Sequence, residues 1–230
     1  MDIVLLPGLW LPMEVWDPTA DALIAAGHHV RLVSLPGVDD ADAGATLDDQ
    51  LAAVLDVVDR LTRPLVVGHS AASNLAWLVA DRRPTDIAGV ALVGGFPSPT
   101  GAVYADFFPV VDGVMAFPGW EPFAGPDSDD LDDAARAAIE AMAVPVVGGV
   151  AEAEMSLTDD RRYDVPTVVV CPEYGPDDAK EWIGSGGIPE LAAARNVSFV
   201  DLETGHWPMV SRPAEFAAVL ASIAVDLGTP

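Results

Sequence analysis

The stretch Pro64-Leu65-Val66-Val67-Gly68-His69-Ser70-Ala71-Ala72-Ser73-Asn74-Leu75-Ala76-Trp77 decides the reading of this chain. It begins as an unbroken apolar run, ends with apolar side chains at helical spacing, and crowds small residues around one serine between the two. The order is strand, sharp turn, helix. In that context a Gly-x-Ser-x-Gly-like match carries chemical meaning. The serine is forced into a strained backbone conformation that lifts its Oγ above the end of the strand, and the following amides point at the same space. Gly68 is the small residue before the turn. Ala72 stands where the pattern has its second glycine, and its extra methyl group leaves the turn possible. The plainer reading of Ser70 is an N-cap on a helix that follows a strand, which needs no chemistry.

Working outward, short apolar runs recur at residues 3–6, 29–35, 64–67, 90–94, 166–170 and 197–202 and read as six strands. Several are continuous rather than alternating, as expected where helices cover both faces of a parallel sheet. Residues 16–26, 47–61, 70–81 and 213–224 show helical spacing, the last with Ser211 as its expected N-cap and Pro213 in its first turn. The alternation predicts an α/β fold with a doubly wound, mainly parallel six-stranded sheet and right-handed crossovers.

One interval breaks the rhythm. Residues 96–164 offer no convincing strand; Phe107, Phe108, Met115, Phe117, Trp120 and Phe123 mix with prolines before an acidic helical segment at 129–140. A structureless loop of that length is unusual inside one domain, so the interval is expected to be a helical cap. Residues 1–95 and 165–230 then form the core. Open α/β sheets bind ligands at the C-terminal edge that such a cap would cover; ordinary packing helices with an aromatic core are the alternative.

Composition bounds the function. A chain of 230 residues fits one core, since cores stop growing near roughly 250 to 300 residues. With 51% hydrophobic residues and a mean hydropathy of +0.32, disorder is excluded. Thirty-six acidic against eleven basic residues give a formal charge of −25, which repels phosphate backbones and anionic lipid surfaces, so neither nucleic acid nor membrane is an expected partner. One cysteine, Cys171, precludes an intrachain disulfide. The first residues carry no basic segment and are broken by Pro7 and Gly8, unlike a signal peptide or a membrane span, so a cytoplasmic location is expected. No His/Asp/Glu cluster has metal-ligand spacing.

Two further motifs belong beside Ser70. Pro7-Gly8-Leu9-Trp10 ends the first strand with a glycine that lets the backbone turn over the sheet edge. In the proposed fold the Leu9 and Ala71 amides converge above Ser70 as an oxyanion hole, where one donor is worth about 10² to 10³ in rate. After the last strand comes Thr204-Gly205-His206-Trp207. His206 is placed to reach back and accept the serine proton. Of the four histidines, His28 and His29 fall at a helix-to-strand connection on the opposite edge, and His69 is locked in the serine turn and should point elsewhere.

With these residues the sequence resembles the α/β-hydrolase family over nearly its whole length, beginning at what would be that family's third strand. It is most similar to small soluble members related to plant esterases and hydroxynitrile lyases. The resemblance implies that Ser70 and His206 are catalytic and that no cofactor is needed. The family places its acid after the strand read here at 166–170, and the corresponding position is Tyr174. Glu173 is nearest and is taken as the acid, with a structural surface role as its alternative; Asp177 and Asp178 are read as the start of the next helix.

The expectation is a serine hydrolase acting on an ester, lactone or thioester of a small apolar substrate, as a monomer or homodimer. Trp10, Phe96, Phe107, Phe108, Trp120 and Trp207 are the expected substrate-binding residues. A lyase or cyclase using His206 as acid/base in the same pocket, or a silent ligand-binding protein, is the alternative.

Overall fold

Alternate residues of a strand face opposite sides of a sheet, so an unbroken apolar run is a strand that needs cover on both. The computed structural model describes residues 1–228. Its strands are β1 (Asp2–Leu6), β2 (His29–Leu32), β3 (Leu65–His69), β4 (Gly89–Val93), β5 (Val114–Met115), β6 (Val146–Val147), β7 (Thr167–Cys171) and β8 (Val197–Asp201). Six of them form one sheet in the order β2-β1-β3-β4-β7-β8, and every neighbouring pair is parallel. The helices are α1 (Asp17–Ala25), α2 (Leu47–Val58), α3 (Ala72–Arg82), α4 (Asp133–Met142), α5 (Gly148–Ala151), α6 (Pro176–Gly184), α7 (Pro189–Ala193), α8 (Pro208–Ser211) and α9 (Pro213–Gly228).

Both faces are packed. Val4, Val66, Leu92 and Val169 join Leu51 and Val54 of α2 and Leu75 and Val79 of α3 in one cluster. Ile3, Leu5, Val67, Ala91 and Val170 join Leu23 of α1 and Phe216, Leu220 and Ile223 of α9 in the other. Each fully buried Val, Leu, Ile or Phe among them contributes about 1.5–3 kcal/mol. The expected α/β, doubly wound sheet is what forms.

β1 lies between β2 on one side and β3 on the other, so the chain winds away in opposite directions from this pair. Ligands bind outside the carboxyl ends of strands at such a switch point. There Leu6 is paired with Gly68, which brings the 7–10 turn beside the serine turn.

Two expectations are corrected. Ser211 does not cap α9; it ends α8, and its hydroxyl donates to the Trp207 carbonyl at 3.4 Å. Pro208 starts a separate short helix, which leaves Arg212 between the two. Residues 96–164 are also not purely helical. They contain α4 and α5, but β5 and β6 pair antiparallel, Val114 with Val147 and Met115 with Val146. Two-residue strands so far apart in sequence have no local period to betray them. The segment is tied to the core in its C-terminal third. Val144 N–H donates to the Trp10 carbonyl at 2.8 Å. Buried Asp81 of α3 accepts the Thr158 and Asp159 amides at 2.7 and 2.9 Å.

Candidate active site

Ser70 has φ +55°, in the left-handed region that a residue with a Cβ rarely occupies, and such strain costs on the order of 1–3 kcal/mol. The surroundings hold it there. Its N–H donates to the Val93 carbonyl at 2.7 Å, and its carbonyl accepts the Ser73 amide at 2.9 Å as α3 begins. The turn is tight enough that a Cβ on Gly68 would lie 2.2 Å from the Ala72 carbonyl oxygen. Glycine is therefore required at 68, whereas Ala72 is accommodated, buried at the start of α3.

The Ser70 Oγ lies 2.9 Å from His206 Nε2, and His206 Nδ1 lies 2.8 Å from Glu173 Oε1. A carboxylate only accepts, so Nδ1 carries the proton and Nε2 is left to accept from the serine hydroxyl. Both the His206 and Glu173 side chains are only 14% exposed. Glu173 stands in the loop after β7. The neighbouring acids are engaged elsewhere: Asp178 accepts the Gly175 amide at 3.0 Å and Asp177 pairs with Lys180 at 2.9 Å, both in the first turn of α6. Asp201 and Glu203 take no part in the chain from Ser70 to Glu173.

Three contacts fix the histidine loop. His206 N–H donates to the Asp127 carbonyl, Gly205 N–H donates to Asp130 Oδ2, and the His206 carbonyl accepts from His69 Nε2, each at 2.7 Å. A Cβ on Gly205 would fall 2.3 Å from Asp130 Oδ1 and 2.4 Å from the Asp127 carbonyl oxygen, so this loop too needs glycine. His69 lies outside the Ser70–His206–Glu173 chain but supports it from below. Burial, then the nearby His206, pulls its imidazole down to about 3, so it stays neutral. His28 and His29 sit at the opposite end of β1, where the His29 amide donates to the Met1 carbonyl.

Above the serine opens a cavity of about 890 Å³, lined by Leu9, Trp10, Ala71, Phe96, Phe107, Phe108 and Trp207 beside Ser70, His206 and Glu173. Among the described residues neither the Leu9 nor the Ala71 N–H has a protein acceptor, so both are free to bind an oxygen. Trp10, at φ +65°, is gripped by the inserted segment: its Nε1 donates to the Met115 carbonyl at 3.1 Å and its ring meets Phe108 and Phe117. Phe107, 61% exposed, stands at the mouth.

Trp120 is a correction. It lies behind the wall rather than in it, packed on Trp207 at 5.2 Å and Phe117 at 5.4 Å, with the Arg136 guanidinium over its ring. The wall also holds residues outside the expected substrate-binding set, among them Phe123, Asp127, Tyr174, Trp182 and Ile188. Tyr174 and Trp182 stack edge-on at 5.0 Å beside Phe96, which shows where the residue in the usual acid position has gone. Burial drives the Tyr174 phenol upward, and it stays neutral. Trp182 lies on a polar, amphipathic helix and Asp127 in an acidic loop, so neither context carries a ligand signal.

A family model for the alpha/beta hydrolase family matches residues 3–219. The chain belongs to the alpha/beta hydrolase family. Solved structures with the same fold span nearly the whole chain. An extracellular alpha/beta hydrolase from a Paenibacillus species, described as sharing structural and functional homology with tobacco salicylic acid binding protein 2, is 19% identical. It superposes with a TM-score of 0.77 over 96% of this chain and 98% of its own. Tomato methylketone synthase I, bound to 2-tridecanone, is 18% identical, with a TM-score of 0.75 over 98% of each chain. A pyrethroid hydrolase from Sphingobium faniae JZ-2 is 17% identical, with a TM-score of 0.73 over 98% of this chain and 97% of its own. At these identities the likeness is one of fold. No curated protein matches the chain in sequence. Among the described residues no helix is long and apolar enough to cross a membrane.

Proposed function

We propose that this alpha/beta hydrolase is a serine esterase that cleaves an ester, lactone or thioester of a small, largely apolar substrate through an acyl-enzyme on Ser70. The observation that carries the reading is the unbroken chain from Ser70 Oγ through His206 to Glu173, opening on a cavity with two unengaged amides. Its structural neighbours include proteins described as hydrolases of pyrethroids, which is consistent with ester chemistry on a bulky apolar body.

In the first half-reaction the Ser70 Oγ bonds to the carbonyl carbon as its proton passes to His206 Nε2, and the carbonyl electron pair moves to the oxygen. The Leu9 and Ala71 N–H groups would hold that oxyanion. Glu173 keeps the imidazole in the tautomer that can accept and steadies the imidazolium that forms. The oxyanion collapses, the bond to the alcohol or thiol breaks, and His206 gives the leaving group its proton. Water repeats the sequence: His206 takes a proton from it, the hydroxide attacks the acyl carbon, and Ser70 recovers its proton as the carboxylic acid departs. No residue changes oxidation state.

The test is turnover of p-nitrophenyl and 1-naphthyl esters of increasing acyl length, alongside a lactone panel. The reading expects ester or lactone hydrolysis, abolished in His206→Ala. Folded protein that binds these compounds, seen as thermal stabilisation, without releasing product would instead favour a lyase, a cyclase or a silent binding protein.

A further inference from the structure

The cavity wall is apolar and aromatic, yet it carries two carboxyl groups and no lysine or arginine. One of the two, Glu173, is hydrogen-bonded to His206 and is matched by the imidazolium whenever that forms. The other, Asp127, is surplus. It lines the cavity from the inserted segment, half-buried, and the contact that fixes its position is made by its backbone, whose carbonyl accepts the His206 amide at 2.7 Å. Among the described residues its side chain has no ion-pair or hydrogen-bond partner. Arg136, on α4, lies over the Trp120 ring and donates to the Ser128 carbonyl at 2.8 Å, outside the wall.

A second anionic group on a substrate would therefore enter an apolar-walled cavity facing Asp127 and Glu173 with no lysine or arginine to offset it, and like charges in such a site are unfavourable. A cationic group meets the opposite circumstances: a carboxyl without a partner, in a wall that includes Trp10, Phe108, Phe123 and Trp207, aromatic residues of the kind that attract ammonium groups.

We propose that Asp127 makes this cavity a charge filter, admitting substrates whose body is neutral or bears an ammonium group and refusing those with a second, anionic group. The filter rests on the ester-hydrolase reading for its substrates and names their charge class.

The experiment uses p-nitrophenyl esters with acyl chains of one length ending in methyl, carboxylate or trimethylammonium, so the leaving group is constant. Rates are taken in about 1 M salt, where the screening length is about 3 Å and the general field of the −25 chain is suppressed. For the native protein kcat/KM should be lower for the carboxylate ester than for the ammonium ester by about tenfold or more. In Asp127→Asn that ratio should narrow to within about threefold, and in Asp21→Asn, an exposed acid on α1, it should not move. Equal rates for the two charged esters in the native protein overturn the filter. A ratio that survives in Asp127→Asn removes Asp127 as its cause. If none of the three esters is hydrolysed, the hydrolase reading fails separately. The filter is then read by calorimetry with an alkylammonium and an alkanoate of matched length, and equal binding of the two overturns it.

Discussion

The α/β core and the inserted residues 96–164 contribute to the candidate site in different ways. Ser70, Glu173 and His206 all stand on loops at the C-terminal ends of sheet strands, after β3, β7 and β8. Parallel register puts those ends side by side, so the three side chains meet because the sheet forms. The insertion supplies none of the three. It furnishes Phe107, Phe108 and Phe123 to the wall, and it holds the histidine loop from outside through the Asp127 carbonyl and the Asp130 carboxylate. One region thus places the candidate triad, while the other lines the cavity and steadies the histidine loop. Substitutions in the two should fail differently.

The largest effect is expected in the core. Glu173→Gln should lower kcat about 10²- to 10⁴-fold with little change in KM, because the imidazole loses the partner that sets its tautomer. Steady-state kinetics on a neutral ester measures this. Should Asp127→Asn give the larger loss of kcat, the acid would belong to the insertion and the division would be wrong.

A smaller effect is expected where the insertion grips the loop. Asp130→Ala frees the Gly205 amide and should reduce kcat about tenfold, since small misplacements of a base are costly. Asp130→Asn keeps an oxygen that can accept the same N–H and should recover most of the rate. Loss of stability without loss of kcat would make Asp130 a structural residue only.

Smaller again is the wall. Phe123→Leu should raise KM about fivefold through lost apolar contact, a change on the order of 1 kcal/mol, while Trp120→Phe, behind the wall, should leave KM within about twofold. Equal effects on KM would put Trp120 back among the substrate contacts.

The core was largely legible in the sequence because parallel strands buried on both faces are written as local apolar runs. All six sheet strands fall where those runs lie, and Ser70 and His206 are announced by glycines that only tight turns require. Glu173 was harder: a turn that places Tyr174 at the usual acid position gives no sign that its neighbour swings toward His206. The insertion was mostly illegible. The β5–β6 pair and the Asp130–Gly205 contact join residues far apart in sequence, and aromatics in such a segment look alike whether they line a cavity, as Phe123 does, or back it, as Trp120 does.

A different quantity, stability rather than rate, is at stake at His69, beneath the loop. Its ordinary pKa of 6.5 falls to about 3 in the fold, chiefly by burial. Between those values the unfolded chain binds a proton that the folded one does not, so its contribution is present above about 6.5 and is lost as pH falls toward 3. Its share of the slope is at most about 1.4 kcal/mol per pH unit. Denaturant unfolding across that range should show a shallower acid slope in His69→Gln than in the native protein; an unchanged slope would mean that His69 is accessible to protons.

Whether Ser70 is the nucleophile is decided by intact-mass spectrometry after exposure to a fluorophosphonate. The reagent forms a bond from serine Oγ to phosphorus with loss of fluoride. A single adduct is expected on Ser70 in the folded protein, none in Ser70→Ala and none in heat-unfolded chain. Folded protein that stays unmodified, or an adduct that persists in Ser70→Ala, would contradict that role.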